Sequence, residues 1–201
     1  MQTFIDKIGL AKLTAENKRI CLNLGGGRTK MPGFMNVDII DLPEVDVVTN
    51  LEEGLQFIPD NSIDEINSRS FFEHISNFEL LMSEMYRVLK QDGQVKIFVP
   101  HFTNPYYYSD YTHKRFFGYY SFYYFSKDQE KLMRKIPGFY NDINFIVHKQ
   151  KLVFASTIPK YHLINRFSEW FFNRSTKLQE IYEAYFSPVL ACNGLEVILK
   201  K

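Results

Sequence analysis

Apolar residues come along this chain in short blocks divided by glycine, proline and asparagine clusters, and the spacing inside each block predicts its element. Phe4, Ile8, Leu10 and Leu13 recur near helical spacing, which predicts a short amphipathic helix over Thr3 to Glu16. Ile20 to Leu24 is a continuous apolar block interrupted only at Asn23, and it breaks abruptly at Gly25-Gly26-Gly27. It reads as a buried first strand over Arg19 to Leu24. Phe34 to Ile39, Val45 to Val48 and Ile63 to Asn67 read as three further strands, the last set off by the turn Pro59-Asp60-Asn61-Ser62. Ser76-Asn77-Phe78-Glu79 has the form of a capping box, opening a helix through Leu80, Leu81, Met85, Val88 and Leu89. Asp92-Gly93 is expected to stop it, and Val95, Ile97 and Val99 alternate in a fifth strand from Gln94 to Pro100.

Beyond Pro100 the texture changes. Residues 101–125 are 25 positions, of which 13 are aromatic, against 16% for the whole chain. An aromatic lid over whatever the strand ends hold is the natural expectation. Ser126-Lys127-Asp128-Gln129 predicts a helix capped there and running through Ile136, stopped by Pro137-Gly138. Asn144 to Phe154 and Leu195 to Lys200 read as closing strands. Between them Ile164, Phe167, Phe171, Leu178, Ile181 and Tyr185 suggest two helices broken at Asn173 to Thr176.

Strand–helix–strand alternation argues for an α/β domain with a mainly parallel sheet and helices on both faces. The 201 residues fit one domain, with 1–100 as a cofactor-binding half and 101–201 carrying the lid, a substrate region and the closing strands. In such sheets ligands lie beyond the carboxyl ends of the strands, which puts Gly25, Gly26, Gly27, Asp38, Asn50, Ser70 and His101 along one edge. Glycine lets a ligand approach the backbone with no Cβ in the way, and an acid ending the second strand can accept both hydroxyls of a ribose. A nucleoside-bearing cofactor follows. The connection from Gly27 to Phe34, through Pro32-Gly33, is too short for a full crossover helix. A phosphate-cradling GxGxxG is also absent, because Lys30 and Pro32 stand where the last glycine is required. The cofactor is therefore expected to lack phosphate.

Charge and cysteine content narrow the class. A net charge of +1 offers no basic surplus for nucleic acid. Cys21 and Cys192 belong to no CxxC or His/Cys cluster, so no metal site is expected and a reduced, cytoplasmic setting is. The charged N-terminus has no signal-peptide core, and no apolar run reaches the length of a membrane span. Trp170-Phe171-Phe172 suggests peripheral contact with a membrane or a partner through residues 164–186; the oligomeric state is left open.

Several motifs follow one another in order: Leu22-Asn23-Leu24-Gly25-Gly26-Gly27, Pro32-Gly33-Phe34-Met35-Asn36-Val37-Asp38, Pro59 to Ile66, Phe72-Glu73-His74-Ile75, Arg87 to Gly93, and Asp110-Tyr111-Thr112-His113-Lys114-Arg115-Phe116-Phe117. In this order the chain resembles class I S-adenosylmethionine-dependent methyltransferases, and within them the small bacterial type associated with surface-polysaccharide biosynthesis. The resemblance covers roughly residues 19–125. It implies a Rossmann-like sheet, S-adenosyl-L-methionine as cofactor, and a glycan or small-molecule hydroxyl as acceptor. It implies that Gly25 and Gly27, with Asn23 and Gly26 beside them, pass close to the methionine part, and that Asp38 holds the ribose. Asn50 and Leu51 would flank the adenine, with Ser70 or Phe71 on the pocket floor. Asn23 and Asn50 stand where the family usually has acids.

Methyl transfer gains most from alignment, up to about 7–11 kcal/mol, and a hydroxyl acceptor gains further from a general base. His74, His101, Asp110 and His113 are the candidate bases; Tyr107, Tyr111 and Arg115 are candidates for contact with the acceptor. The alternatives are a non-catalytic cofactor-binding or scaffold protein on the same fold and, more weakly, a nicotinamide-linked sugar oxidoreductase.

Overall fold

The structure is a computed structural model that describes residues 4–16, 18–155 and 161–201. Eight strands form one sheet: β1 (Phe4–Asp6), β2 (Cys21–Leu24), β3 (Met35–Asp38), β4 (Val47–Thr49), β5 (Ile63–Arg69), β6 (Leu89–Pro100), β7 (Ile146–Val153) and β8 (Gly194–Lys200), in the order β1-β4-β3-β2-β5-β6-β8-β7. The five central strands run parallel; β1, β7 and β8 join antiparallel at the two sides. Helices α1 (Leu10–Ala15), α2 (Phe78–Val88), α3 (His162–Phe172) and α4 (Thr176–Ile181) complete the α/β domain.

The sheet interior follows from the sequence pattern. Leu22, Leu24, Val37, Val47, Ile63, Ile66, Val95 and Val99 are sealed from solvent, as are Leu81, Met82, Met85 and Val88 along one stripe of α2. Burying each such side chain contributes about 1.5–3 kcal/mol relative to leaving it in water. The aromatic stretch divides between core and surface. Phe117 and Phe122 stack on each other and meet the Phe78 ring of α2 edge-on, whereas Tyr106, Tyr108, Tyr111 and Phe116 face solvent.

Four local expectations are corrected. The helix expected over Thr3 to Glu16 is split, with Thr3 outside the described residues. Asp6 accepts from the N–H groups of Ile8 and Gly9, Gly9 turns at φ +75°, and the residues before that turn pair with β4 instead. The capping box at Ser76 is not used. Glu52 reaches across from the turn after β4 and accepts from the Ser76 and Asn77 N–H groups at 2.8 and 2.7 Å, so Asn77 precedes the helix without a side-chain cap. Asp92-Gly93 does not separate helix from strand: α2 passes directly into β6, and the pair forms a bulge between the Ile63–Leu89 and Glu65–Gln94 pairings, with Asp92 at φ +66°. No helix forms over 126–136. Buried Glu180 accepts from the Met133 and Arg134 N–H groups, and Gln129 closes the loop onto Ile136 and Ser126. Those side chains take backbone donors that a helix would have used. The expected break at Asn173 to Thr176 is present: α3 ends at Phe172 and Ser175 caps α4, which runs on into a π turn at Tyr182–Phe186.

Candidate active site

Three asparagines lie side by side on adjacent strands. Asn36 of β3, Asn23 of β2 and Asn67 of β5 share one register row. Asn67 donates to Asn23 Oδ1 at 2.8 Å; Asn23 donates to Asn36 Oδ1 at 3.0 Å; Asn36 donates to the Gly27 carbonyl at 2.8 Å. This amide ladder fixes the loop where β2 ends. It leaves no room for larger residues, since a Cβ on Gly26 would sit 1.7 Å from Asn36 Oδ1.

At the tip of β3 the half-buried Asp38 accepts from the Gly27 N–H at 2.8 Å and from the Ile40 N–H at 3.1 Å. Gly25, at φ +68°, lies against the Phe71 ring so closely that a Cβ there would be 2.1 Å from it. Gly27, at φ +50°, faces open space. A cavity of about 400 Å³ opens beside this loop, lined by Asn23, Gly25, Gly26, Lys30, Asn67 and Arg69 among others. That lies within the usual range for a small-molecule site. Asn50 is turned to its own chain, capping the 3₁₀ turn Leu51–Glu53 through the Glu52 N–H, and Leu51 is buried. Ser70 sits just past β5 with φ +50°, its N–H donated to the Phe98 carbonyl.

The chain after Phe71 builds a second group. Glu73 lies in the 3₁₀ turn Phe72–His74 and is buried, and its backbone carbonyl accepts from the Lys114 and Arg115 N–H groups, which ties the lid to the strand end. Its carboxyl Oε2 has no hydrogen-bond partner, and burial, with Asp110 nearby, pushes the carboxyl up to about 7. His74 and His113 meet edge-on at 4.9 Å. Asp110 Oδ2 is 3.6 Å from His113 Nε2, and Thr112 holds the Asp110 carboxyl below its ordinary range. The buried Tyr107 ring packs 4.5 Å from His113 and its hydroxyl donates to the Arg115 carbonyl.

Four of the residues singled out from sequence thus come together: His74, Tyr107, Asp110 and His113. Three do not join them. His101 is sealed from solvent with both ring nitrogens bonded, to Thr103 Oγ1 at 2.8 Å and Glu183 Oε2 at 2.9 Å; this geometry is that of a core pair. Arg115 donates to the carbonyls of Ile75 and Ser76 and pairs with no carboxylate among the described residues. Tyr111 projects into solvent. Sequence reasoning missed Asn36, Asn67, Thr112 and the part played by Glu73. Asn36 was visible as an amide between Met35 and Val37, whereas Asn67 stands in a polar stretch and the burial of Glu73 carries no sequence signal.

The family model "methyltransferase domain" matches residues 34–97, which span β3 to β6 and begin just after the glycine loop. No curated protein matches the chain in sequence. Among solved structures, a SAM-dependent methyltransferase of Archaeoglobus fulgidus superposes with a TM-score of 0.54 at 18% identity, covering 95% of this chain and 92% of that one. A candidate methyltransferase of Bacillus halodurans gives 0.53 at 15%, covering 96% and 97%. Geranyl diphosphate C-methyltransferase of Streptomyces coelicolor gives 0.54 at 10%, covering 95% and 76%. The parallel strands, the antiparallel closing pair and these superpositions show the Rossmann-like α/β fold of class I methyltransferases, and the domain match at 34–97 lies within it.

Proposed function

We propose that this protein is an S-adenosylmethionine-dependent methyltransferase acting on a hydroxyl of a small molecule or glycan, with surface-polysaccharide intermediates as the favoured acceptor class. The observation that carries the reading is Asp38, held by the Gly27 N–H at the tip of β3 beside an open glycine loop. The cavity supports this cofactor: the amides of Asn23 and Asn67 and the backbone of Gly25 and Gly26 form one wall, and Lys30, Met31, Pro32 and Arg69 form the rest. Asp38 has lone pairs left to accept ribose hydroxyls. Asn23, Gly25, Gly26 and Gly27 flank the amino-acid part, and Asn50, Leu51, Ser70 and Phe71 border the base. When bound, S-adenosylmethionine supplies a reactive methyl group.

The acceptor side falls to His74, Asp110 and His113, while His101 stays in the core with Glu183. Tyr107 braces His113, while Tyr111 and Arg115 stand at the rim. The acceptor needs its hydroxyl proton removed in a site shielded from water, and a group of imidazoles backed by a carboxylate does that. Isothermal calorimetry with S-adenosylhomocysteine tests the cofactor half. Asp38→Ala should weaken binding more than tenfold, and unchanged affinity removes the assignment.

A second reading has its own observation. Asn23 is fully engaged by the amide ladder and Phe71 covers Gly25, which suits a protein that binds the cofactor without turning it over. Production of S-adenosylhomocysteine with a panel of sugar-nucleotide acceptors separates the two. We place the protein in the cytoplasm, with peripheral contact to a membrane or partner through the apolar face of α3.

A further inference from the structure

Glu73 is 1% exposed, and its Oε2 accepts no hydrogen bond. A carboxylate withdrawn from water with one oxygen left without a donor is costly, and such groups are ordinarily paired or ligate a cation. The two imidazoles beside it are both oriented from behind. Thr112 Oγ1 lies 2.5 Å from Asp110 Oδ1 and 2.9 Å from His74 Nδ1. An ionised carboxylate only accepts, so the Thr112 hydroxyl donates to Asp110 and accepts from the His74 Nδ1–H. His113 Nδ1 lies 2.9 Å from the Tyr107 carbonyl, which also only accepts, so His113 donates from Nδ1 as well. Each ring thereby carries a proton on Nδ1, and in its neutral form it presents the Nε2 lone pair to a ligand. A histidine whose Nδ1–H is held by a carbonyl or carboxylate system is the usual form of a metal-ligating histidine.

We propose that Glu73, His74 and His113 form a binding site for one divalent transition cation of the zinc class, with both histidines ligating through Nε2. One ligand atom from each of the three residues already lies within 4.8 Å of the others. Metal–ligand distances of about 2.0–2.2 Å require those atoms to close by roughly 1 Å, within the reach of side-chain rotation. Two neutral imidazoles and one carboxylate suit zinc, iron or cobalt rather than magnesium or calcium, which prefer all-oxygen shells. Asp110 Oδ2, 3.6 Å from His113 Nε2, is placed to hydrogen-bond a ligand in the fourth position. With three protein ligands that position stays open, as in catalytic rather than structural sites.

The site explains the orphaned carboxylate and gives a reason for Asp110-Tyr111-Thr112-His113 to fold back on Glu73-His74. A hydroxyl ligated at the open position has its pKa lowered, which would make the cation the means of activating the acceptor. That role rests on the methyltransferase reading; the binding of a cation does not.

Protein stripped with EDTA and dialysed should take up one equivalent of Co²⁺, with a visible absorption band that Zn²⁺ abolishes, and elemental analysis should find one Zn²⁺ per chain after re-dialysis. His74→Ala and His113→Ala should each weaken Co²⁺ binding at least tenfold while keeping the circular-dichroism melting curve. These two variants serve because Glu73→Gln alters a buried position and can fail to fold. Absence of saturable Co²⁺ uptake, or uptake unchanged in both histidine variants, overturns the site. Calorimetry with S-adenosylhomocysteine is run in parallel on the same samples. Cation binding without S-adenosylhomocysteine binding supports the site and defeats only the methyltransferase reading, while S-adenosylhomocysteine binding without saturable cation uptake defeats only the site.

Discussion

Asn23 Nδ2 lies 3.0 Å from Asn36 Oδ1 across the β2–β3 pairing, and both side chains are buried. Asn36 spends its own amide hydrogens on the Gly27 and Glu44 carbonyls, so one side chain joins the glycine loop, the neighbouring strand and the approach to β4. Replacing it by alanine strands several polar groups in the interior, each costing about 1–3 kcal/mol when left without a partner. Asn36→Ala should therefore lose about 2–4 kcal/mol in urea unfolding, and should weaken S-adenosylhomocysteine binding as the Gly27 loop loosens. A loss under about 0.5 kcal/mol, the range of ordinary surface substitutions, would remove the ladder from the stability argument.

The acid limb of the stability curve should depend on Glu84. Its carboxylate accepts from Arg87 Nε at 2.7 Å and Nη2 at 2.9 Å and from the Leu55 N–H at 3.1 Å, while Arg87 also reaches Asp60. The Arg87 bonds hold the Glu84 carboxyl below its ordinary value. A depressed carboxylate stabilises the fold fully above its unfolded pKa of about 4.3, and that contribution is lost as pH falls through the lower folded value. Glu84→Gln keeps an acceptor for Leu55 but loses the charge. It should cost about 1.5–3 kcal/mol at pH 7, the range for hydrogen bonds to charged groups. The variant should then lose less stability than the parent between pH 5 and pH 3, read from urea midpoints at each pH. Parallel curves would rule out this pair as the source of the acid sensitivity.

The five parallel strands were legible because their apolar residues come in blocks ending at turn residues, and β2, β3, β4, β5 and β6 overlap those blocks. What sequence could not give was decided by side chains arriving from far along the chain. Glu52 takes the Ser76 N–H that Glu79 would have accepted in a capping box, and Glu180 takes donors of a helix at 126–136. β1 exists because the β4 edge is open to it, a fact no local window contains. In the site, Asp38 and the glycines announce themselves by type and spacing, whereas His101 and His113 look alike in sequence. They are told apart only by what surrounds them: His101 closes onto Glu183 in the core, and His113 faces Glu73, His74 and Asp110.

Both thiols should be silent in the native protein. Cys21 and Cys192 are buried, and burial pushes the Cys192 thiol up to about 12. The thiolate is the reactive form, so at pH 8 the population available for attack is very small. A chromogenic disulfide reagent should report fewer than one reactive thiol per native chain over minutes and two after denaturation in guanidinium. Rapid native reaction would mean that the β8 end, where Cys192 bonds to the Val153 and Gly194 carbonyls, opens on that timescale.

The remaining prediction concerns α3. Leu163, Ile164, Phe167 and Trp170 are exposed by 78, 53, 60 and 58%, while Ser168 and Phe172 of the same helix are buried. The π turn and the residues after it add Tyr185 and Val189 at 76 and 81%. Exposed apolar residues gathered on a surface mark a contact face. No helix among the described residues is long and apolar enough to cross a membrane. If the contact is lipid, the protein should float with phosphatidylglycerol vesicles in a sucrose gradient, and Phe167→Ser with Trp170→Ser should reduce the floated fraction several-fold without changing the melting temperature. Failure to float, with a monomer by light scattering, would leave α3 without either partner and defeat the proposed contact.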